Sequence, residues 1–214
     1  MILLTAENLQ LWRGDAHVLR GLSFTLRAGE CLAVTGSNGT GKTSLLRALC
    51  GLLPLEAGEV RWRGVATRVD RDAFHAELAY LGHENALKGD LTATQNLRFA
   101  VGLRRAVSEA ELGGTLLALG LPRVAHELPV RQLSAGQRRR VALARVRLCE
   151  CTLWILDEPS SNLDAAGQAV TDELLRSHLG AGGSAVVATH RPLELAAEQL
   201  RELALAWPDL ASAA

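Results

Sequence analysis

The sequence predicts an α/β fold with three parts: a core of parallel strands, an antiparallel β subdomain at the N-terminus, and an α-helical subdomain inserted within the core. Three observations predict it. Residues 153–156 and 185–189 are short, continuous apolar runs, the pattern of strands buried on both faces of a parallel sheet. Residues 2–12 and 19–26 instead alternate apolar and polar side chains around Gly14-Asp15, as a half-exposed antiparallel pair does. From about 91 to 128 the chain is rich in Leu, Ala, Glu and Arg at helical spacing.

The elements follow in order. After the antiparallel pair come a short apolar strand at 31–35, a glycine-rich turn, and a helix from Lys42 to about Leu52 that stops against Gly51 and Pro54. A strand at 78–81 leads into a helical subdomain spanning about 85–146, with breaks expected at Gly89, Gly113-Gly114 and Gly120-Leu121-Pro122. A helix opening after Ser134 runs to about Leu148, and another from about Ala165 to Leu179 separates the two buried strands. No tandem repeat or low-complexity linker divides the chain, so residues 1–214 read as one domain.

Composition excludes several classes. A hydrophobic content of 48% over 214 residues supports a sizeable core. Lys plus Arg number 23 and Asp plus Glu number 23, so no overall field favours nucleic acid or an anionic membrane. Met1-Ile2-Leu3-Leu4 opens no signal peptide, and charge-free stretches such as 112–122 fall far short of the ~20 apolar residues a spanning helix needs. A membrane role is therefore expected through a partner. Cys31, Cys50, Cys149 and Cys151 form no Cys-x-x-Cys pair and read as reduced, packed thiols without function.

The chemistry lies in three motifs. Gly36-Ser37-Asn38-Gly39-Thr40-Gly41-Lys42-Thr43, with Ser44 behind it, follows a strand and opens a helix, which is the context the G-x-x-x-x-G-K-[ST] pattern demands. Its glycines let backbone N–H groups approach phosphate oxygens at a helix N-terminus, Lys42 reaches the β- and γ-phosphates, and the Thr43 hydroxyl suits Mg²⁺. The strand at 153–156 ends in Asp157-Glu158, at the edge where ligands of parallel sheets gather. Asp157 is expected to hold Mg²⁺, and Glu158 to act as general base on the attacking water. The third motif, Leu133-Ser134-Ala135-Gly136-Gln137, is a capping-box pattern before a helix and also a possible anion site.

With that motif the chain resembles the ATP-binding-cassette ATPases, whose signature it closely matches. The resemblance covers essentially the whole chain and implies a P-loop NTPase core, ATP and Mg²⁺ as ligands, and a homodimer in which Ser134 meets the γ-phosphate held by the second copy. It further implies an interface-crossing loop at Ser161-Asn162-Leu163-Asp164, a switch histidine at His190, and an adenine-stacking aromatic near Trp12. Arg138-Arg139-Arg140 reads as solvated helix surface and signature-helix contacts, not as a nucleic-acid patch. One position departs: the family's Mg²⁺-binding glutamine falls on Glu84, in Leu81-Gly82-His83-Glu84. There a carboxylate can ligate the metal but cannot donate a hydrogen bond while ionised.

Several stretches (36–51, 81–83, 91–99, 131–145 and 153–159) resemble the ATPase subunits of bacterial haem exporters of cytochrome c maturation, the CcmA type. That implies integral membrane transporter subunits as partners and a peripheral place at the cytoplasmic face of the inner membrane. An exporter of another substrate is the competing reading. A DNA-repair or translation cassette is disfavoured, because no long coiled coil separates the phosphate loop from the signature and no second cassette follows.

Overall fold

The computed structural model describes residues 1–206; the end of the 1–214 domain expected from sequence lies outside the described residues. Strands β1 (Ile2–Arg13) and β2 (Ala16–Arg27) pair antiparallel, with Trp12 opposite His17 at the hairpin end. Next come β3 (Cys31–Thr35) and helix α1 (Lys42–Leu49). They are followed by β4 (Ala57–Trp62), β5 (Val65–Ala66), α2 (Arg71–Ala76) and β6 (Leu78–Leu81). Helices α3 (Ala93–Gly102), α4 (Glu109–Ala118) and α5 (Ala135–Leu148) form the helical part, and β7 (Leu153–Asp157), α6 (Ala165–Gly180), β8 (Ser184–Ala188) and β9 (Leu200–Ala204) complete the core.

The strands form two sheets. One is antiparallel with order β2-β1-β4-β5, and the other is parallel with order β6-β7-β8-β3-β9. Every residue of β7 and β8 is buried, which is why those segments read as unbroken apolar runs. The two-residue period then sorts their side chains between two cores. Leu153, Ile155, Val186 and Ala188 face α1 (Leu45, Leu46, Leu49) and the antiparallel sheet (Leu4, Leu9, Leu11). Trp154, Leu156, Ala185 and Val187 face α3 to α6 through Leu97, Leu116, Val141 and Leu175. The parallel sheet is thus the middle layer, and its carboxyl edge is held rigidly between both.

Two expectations fail locally. Gly113-Gly114 does not break the chain, since α4 runs through both, and the break falls between α3 and Ser108. Each glycine costs about 1 kcal/mol in a helix interior. Against that stand the Ser108 cap on Glu111 N, acids in the first turn, and buried Leu112 and Leu116. Helix α1 ends at Leu49 rather than Leu52, because Gly51 takes φ +70 immediately after the C-cap Cys50. Strands β4, β5 and β9 and helix α2 carry no clear apolar period; β9 is a half-exposed edge strand whose Leu-Arg-Glu-Leu-Ala sequence looks helical.

Candidate nucleotide site

The phosphate loop leaves the carboxyl end of β3 and is fixed by close approach rather than by side-chain ties. Gly36 has φ +139, and a Cβ there would stand 2.3 Å from the Leu205 carbonyl oxygen. Gly41 has φ +102, and a Cβ there would stand 2.1 Å from Val18 Cγ1 of β2. Only glycine fits between these walls. Gly41 is the N-cap of α1 and offers no capping side chain, and no acid lies in the first turn. The first backbone N–H groups of α1 are left for an anion, with the helix dipole behind them. Lys42 is almost buried, and its Nζ donates to the carbonyls of Gly36 (2.8 Å) and Ser37 (3.1 Å), which suspends the ammonium over the loop. Thr40 Oγ1 donates to Ser37 O at 2.9 Å and braces the same turn.

The second wall comes from β7. Thr43 Oγ1 donates to Asp157 Oδ2 at 2.8 Å, so the two oxygens expected to serve a metal stand side by side, one from each motif. Oxygen donors of this kind suit Mg²⁺. Glu158 adopts φ +50, uncommon for a residue with a side chain, and its N–H donates to Ala188 O of β8. That conformation brings Glu158 Oε1 to 3.2 Å from His190 Nε2. The pair is poorly aligned, and Oε1 is buried without a hydrogen bond among the described residues, a carboxylate oxygen with capacity to accept. Asn38, Gly39, Lys42, Thr43, Ser44, Asp157, Glu158 and His190 line one cleft of about 480 Å³ together with Ser161 and His83. This cleft has the parts a nucleoside triphosphate needs: a cationic, N–H-rich cradle, a pair of metal-compatible oxygens, and a base beside a histidine.

Sequence reasoning missed the residue that holds the turn at the end of β7. The arginine run reads as solvated helix surface and signature-helix contacts, and Arg139 is of the second kind, 1% exposed. Its guanidinium donates to the carbonyls of Asp157 (2.5 Å), Glu158 (2.6 Å), Pro159 (3.1 Å) and Gly82 (3.1 Å), and to Asn85 Oδ1 (2.9 Å). Burial pulls its guanidinium down to about 10, while the Asp157 and Glu158 carboxylates hold it up. Arg140 is not simply solvated either: it bridges Leu119 O and Asp164 Oδ1. The only signal in the sequence was the run of three arginines, and one turn of helix necessarily points one of them inward.

The remaining predicted residues are placed as follows. Ser134 caps α5 and forms both bonds of the capping box with Gln137. It is exposed and lies outside the lining of its own chain's cleft, as do Ala135 and Gly136, whereas Leu133 belongs to the core. Asp164 caps α6 through Gly167 N and takes Arg140, which ties the loop at 161–164 to the signature helix. Trp12, 47% exposed, stacks on His17 (4.3 Å, 5°) at the hairpin end whose Val18 touches Gly41; it is near the loop but does not line the cleft. Glu84 requires a correction. Glu84 lines a neighbouring cavity and not the cleft, while His83 of the same turn lines both. Arg139 holds this turn at Gly82 and Asn85, on either side of His83 and Glu84.

With this geometry in place, comparisons with known proteins agree. A family model described as ABC transporter matches residues 19–161. A cytochrome c biogenesis ATP-binding export protein CcmA of Methylococcus capsulatus is 46% identical over 193 residues, 90% of this chain and 93% of that one. Its counterpart in Salmonella typhi is 43% identical over 208 residues, covering 95% and 97% of the two chains. Among solved structures, an ATP-binding subunit of an ABC transporter superposes with a TM-score of 0.79 at 26% identity over 88% of this chain and 79% of that one. A dimeric bacterial ABC transporter cassette reaches 0.83 at 23% identity over 95% and 94%, a likeness of fold.

Proposed function

Because the chain belongs to the ABC transporter family, we propose that it binds and hydrolyses ATP as the motor subunit of a cytochrome c biogenesis export system, with haem as the cargo whose export or release it powers. The observation that carries this reading is the convergence of Lys42, Thr43, Asp157, Glu158 and His190 on one cleft from three separate segments of the chain. Relatives from several bacteria, 43–46% identical over at least 90% of this chain, bear the name of that export system.

In this reading the loop N–H groups and Lys42 bind the β- and γ-phosphates. Thr43 and Asp157 hold Mg²⁺, which when bound neutralises phosphate charge and polarises the γ-phosphoryl group. Glu158 accepts a proton from the attacking water as its oxygen bonds to the γ-phosphorus and the bond to ADP breaks, giving ADP and inorganic phosphate. His190, 3.2 Å from Glu158, stands beside that carboxylate and offers a nitrogen to the γ-phosphate. The N-terminus of α5, outside its own cleft, serves the cleft of a second copy, so the working unit is a homodimer with shared sites. Among the described residues no helix is long and apolar enough to cross a membrane, and the chain attaches through integral membrane partners at the cytoplasmic face of the bacterial inner membrane. The metal role is assigned here to Thr43 and Asp157, which line the cleft, whereas Glu84 lines the neighbouring cavity.

The test is Glu158→Gln. The shape is kept and the base is lost, so ADP release is expected to fall by about 10²–10⁴ while ATP binding persists. Near-normal turnover would remove Glu158 from the mechanism.

A further inference from the structure

Next to His190 in the chain, on residues that do not line the cleft, stands a buried ion pair. Asp172, about two turns beyond the Asp164 cap of α6, is 1% exposed. Arg191 meets it with both terminal nitrogens: Nη1 donates to Oδ2 at 2.9 Å and Nη2 to Oδ1 at 2.6 Å. The same Nη2 donates to Ser160 Oγ at 3.0 Å, and Nη1 also donates to Pro192 O at 2.9 Å. Two parallel bonds to one carboxylate fix the direction of a guanidinium as well as its distance. A buried pair of this kind adds little net stability over an apolar pair of the same shape, so stability alone does not account for it.

Its placement supplies a geometric reason. Ser160 follows Glu158 and Pro159 beyond the end of β7 and precedes the loop at 161–164, whose Leu163 N–H donates back to Ser160 O. Asp172 lies on the helix into which that loop leads. Arg191 therefore joins the segments on both sides of the loop, and it does so from the residue after His190. Its own backbone is fixed too. Arg191 N–H donates to Thr189 Oγ1 (3.1 Å), that hydroxyl donates to Arg191 O (3.1 Å), and Thr189 N–H donates to Val34 O of β3 (3.2 Å). His190 is carried between these two anchored residues. Its side chain is exposed, and among the described residues the polar group it meets is Glu158 Oε1 at 3.2 Å, so the backbone of 189–191 is what places the imidazole. Arg139 holds the turn at 157–159 but makes no bond to 189–191 among the described residues.

We propose that Arg191 and Asp172 are positioning residues of ATP hydrolysis: the buried carboxylate aims Arg191, and Arg191, through Ser160, keeps the turn that carries His190 in register with the turn that carries Glu158. Neither side chain lines the cleft, so both act through His190 and Glu158 rather than on the nucleotide. The inference rests on the roles given to those two residues above. A misplacement of about 1 Å at a reacting centre can cost 10²-fold in rate, which is the scale on which such a clamp matters.

The experiment measures kcat and KM for ATP with the purified full chain carrying Asp172→Asn, Arg191→Gln, or both. Removing one partner leaves the other's charge buried, so the combined variant, which keeps the shape and the hydrogen-bonding groups without either charge, decides the matter if a single variant does not fold. In the combined variant, shown folded by circular dichroism, kcat is expected to fall roughly 10–10²-fold with KM within about twofold of the parent's. The same pair of substitutions is then placed on His190→Ala, whose residual rate is followed as phosphate release with enzyme in excess. There it should cost less than about twofold more, because the clamp has lost the residue it positions. The parent's kcat in the folded combined variant, a KM that worsens along with kcat, or a full further loss on His190→Ala would each overturn the inference while leaving the nucleotide site standing. Near-normal turnover in His190→Ala itself would instead remove His190 from the mechanism, and the clamp with it.

Discussion

The two walls of the nucleotide cleft are held in different ways. The phosphate loop is a local structure: eight consecutive residues, two glycines wedged against Leu205 O and Val18, and an ammonium tied to the loop's own carbonyls. The turn at residues 157–159, proposed to carry the catalytic base, is a tertiary structure. Glu158 stands at φ +50 because Arg139, on a helix that enters from the other core, binds the carbonyls of residues 157, 158 and 159 at once. Strained non-glycine backbone persists only where its surroundings over-determine it. One wall is therefore defended by sterics and the other by a single buried cation, and the two should fail differently when perturbed.

The largest effect is expected from Gly36→Ala. The added methyl would stand 2.3 Å from a backbone oxygen, which cannot swing aside, at a φ that L side chains rarely adopt. Strain of about 3 kcal/mol corresponds to roughly 10²-fold weaker ATP binding, measurable by titration calorimetry. Binding within a few-fold of the parent would mean that the loop yields more easily than its contacts imply.

Arg139→Gln should act on the other wall and on the other kinetic constant. Three buried carbonyls lose charged donors, each worth about 1–3 kcal/mol when left unsatisfied, and Glu158 is freed to relax. We expect kcat to drop by roughly 10–10²-fold with the KM for ATP little changed, at temperatures where circular dichroism shows the protein folded. Arg139→Lys should not restore the rate, because one ammonium cannot span five acceptors arranged around a fork. Parallel loss of kcat and ATP affinity would show that Arg139 supports the whole cleft rather than its catalytic turn.

The difference between the walls also explains what was legible in the sequence. The phosphate loop, the Asp157-Glu158 strand end and the Ser134 capping box are contiguous, and their chemistry depends on spacing that a one-dimensional reading preserves. The parallel sheet was legible for the same reason, because β7 and β8 are buried throughout and β3 in all but its last residue. Arg139 was not legible, since nothing in Arg138-Arg139-Arg140 says which guanidinium turns inward until α5 is docked on β7. Strand β9 was obscured by its half-exposed edge, which carries charged residues where a buried strand would carry apolar ones.

The smallest effect, and the sharpest test of how Arg139 shapes the cleft, concerns the turn at 82–85. Family resemblance assigns a metal-binding side chain to position 84, but in the turn that Arg139 holds at Gly82 and Asn85 it is His83 that reaches the cleft lining, while Glu84 lines only the neighbouring cavity. If that arrangement persists in the working enzyme, Glu84→Gln should leave the Mg²⁺ dependence of hydrolysis superimposable on the parent's, since the removed charge does not reach Thr43 or Asp157. His83→Ala should change the rate instead, though modestly: His83 is an exposed residue at the rim, and contacts of that kind are worth up to ~1 kcal/mol, or about fivefold. The measurement is ATPase rate against free Mg²⁺ for the three proteins. Adding Arg139→Gln to each should erase the distinction, because the turn would no longer be held in register with the catalytic strand. A raised Mg²⁺ requirement in Glu84→Gln alone would show that the turn rotates during turnover and that the carboxylate, not the imidazole, reaches the metal.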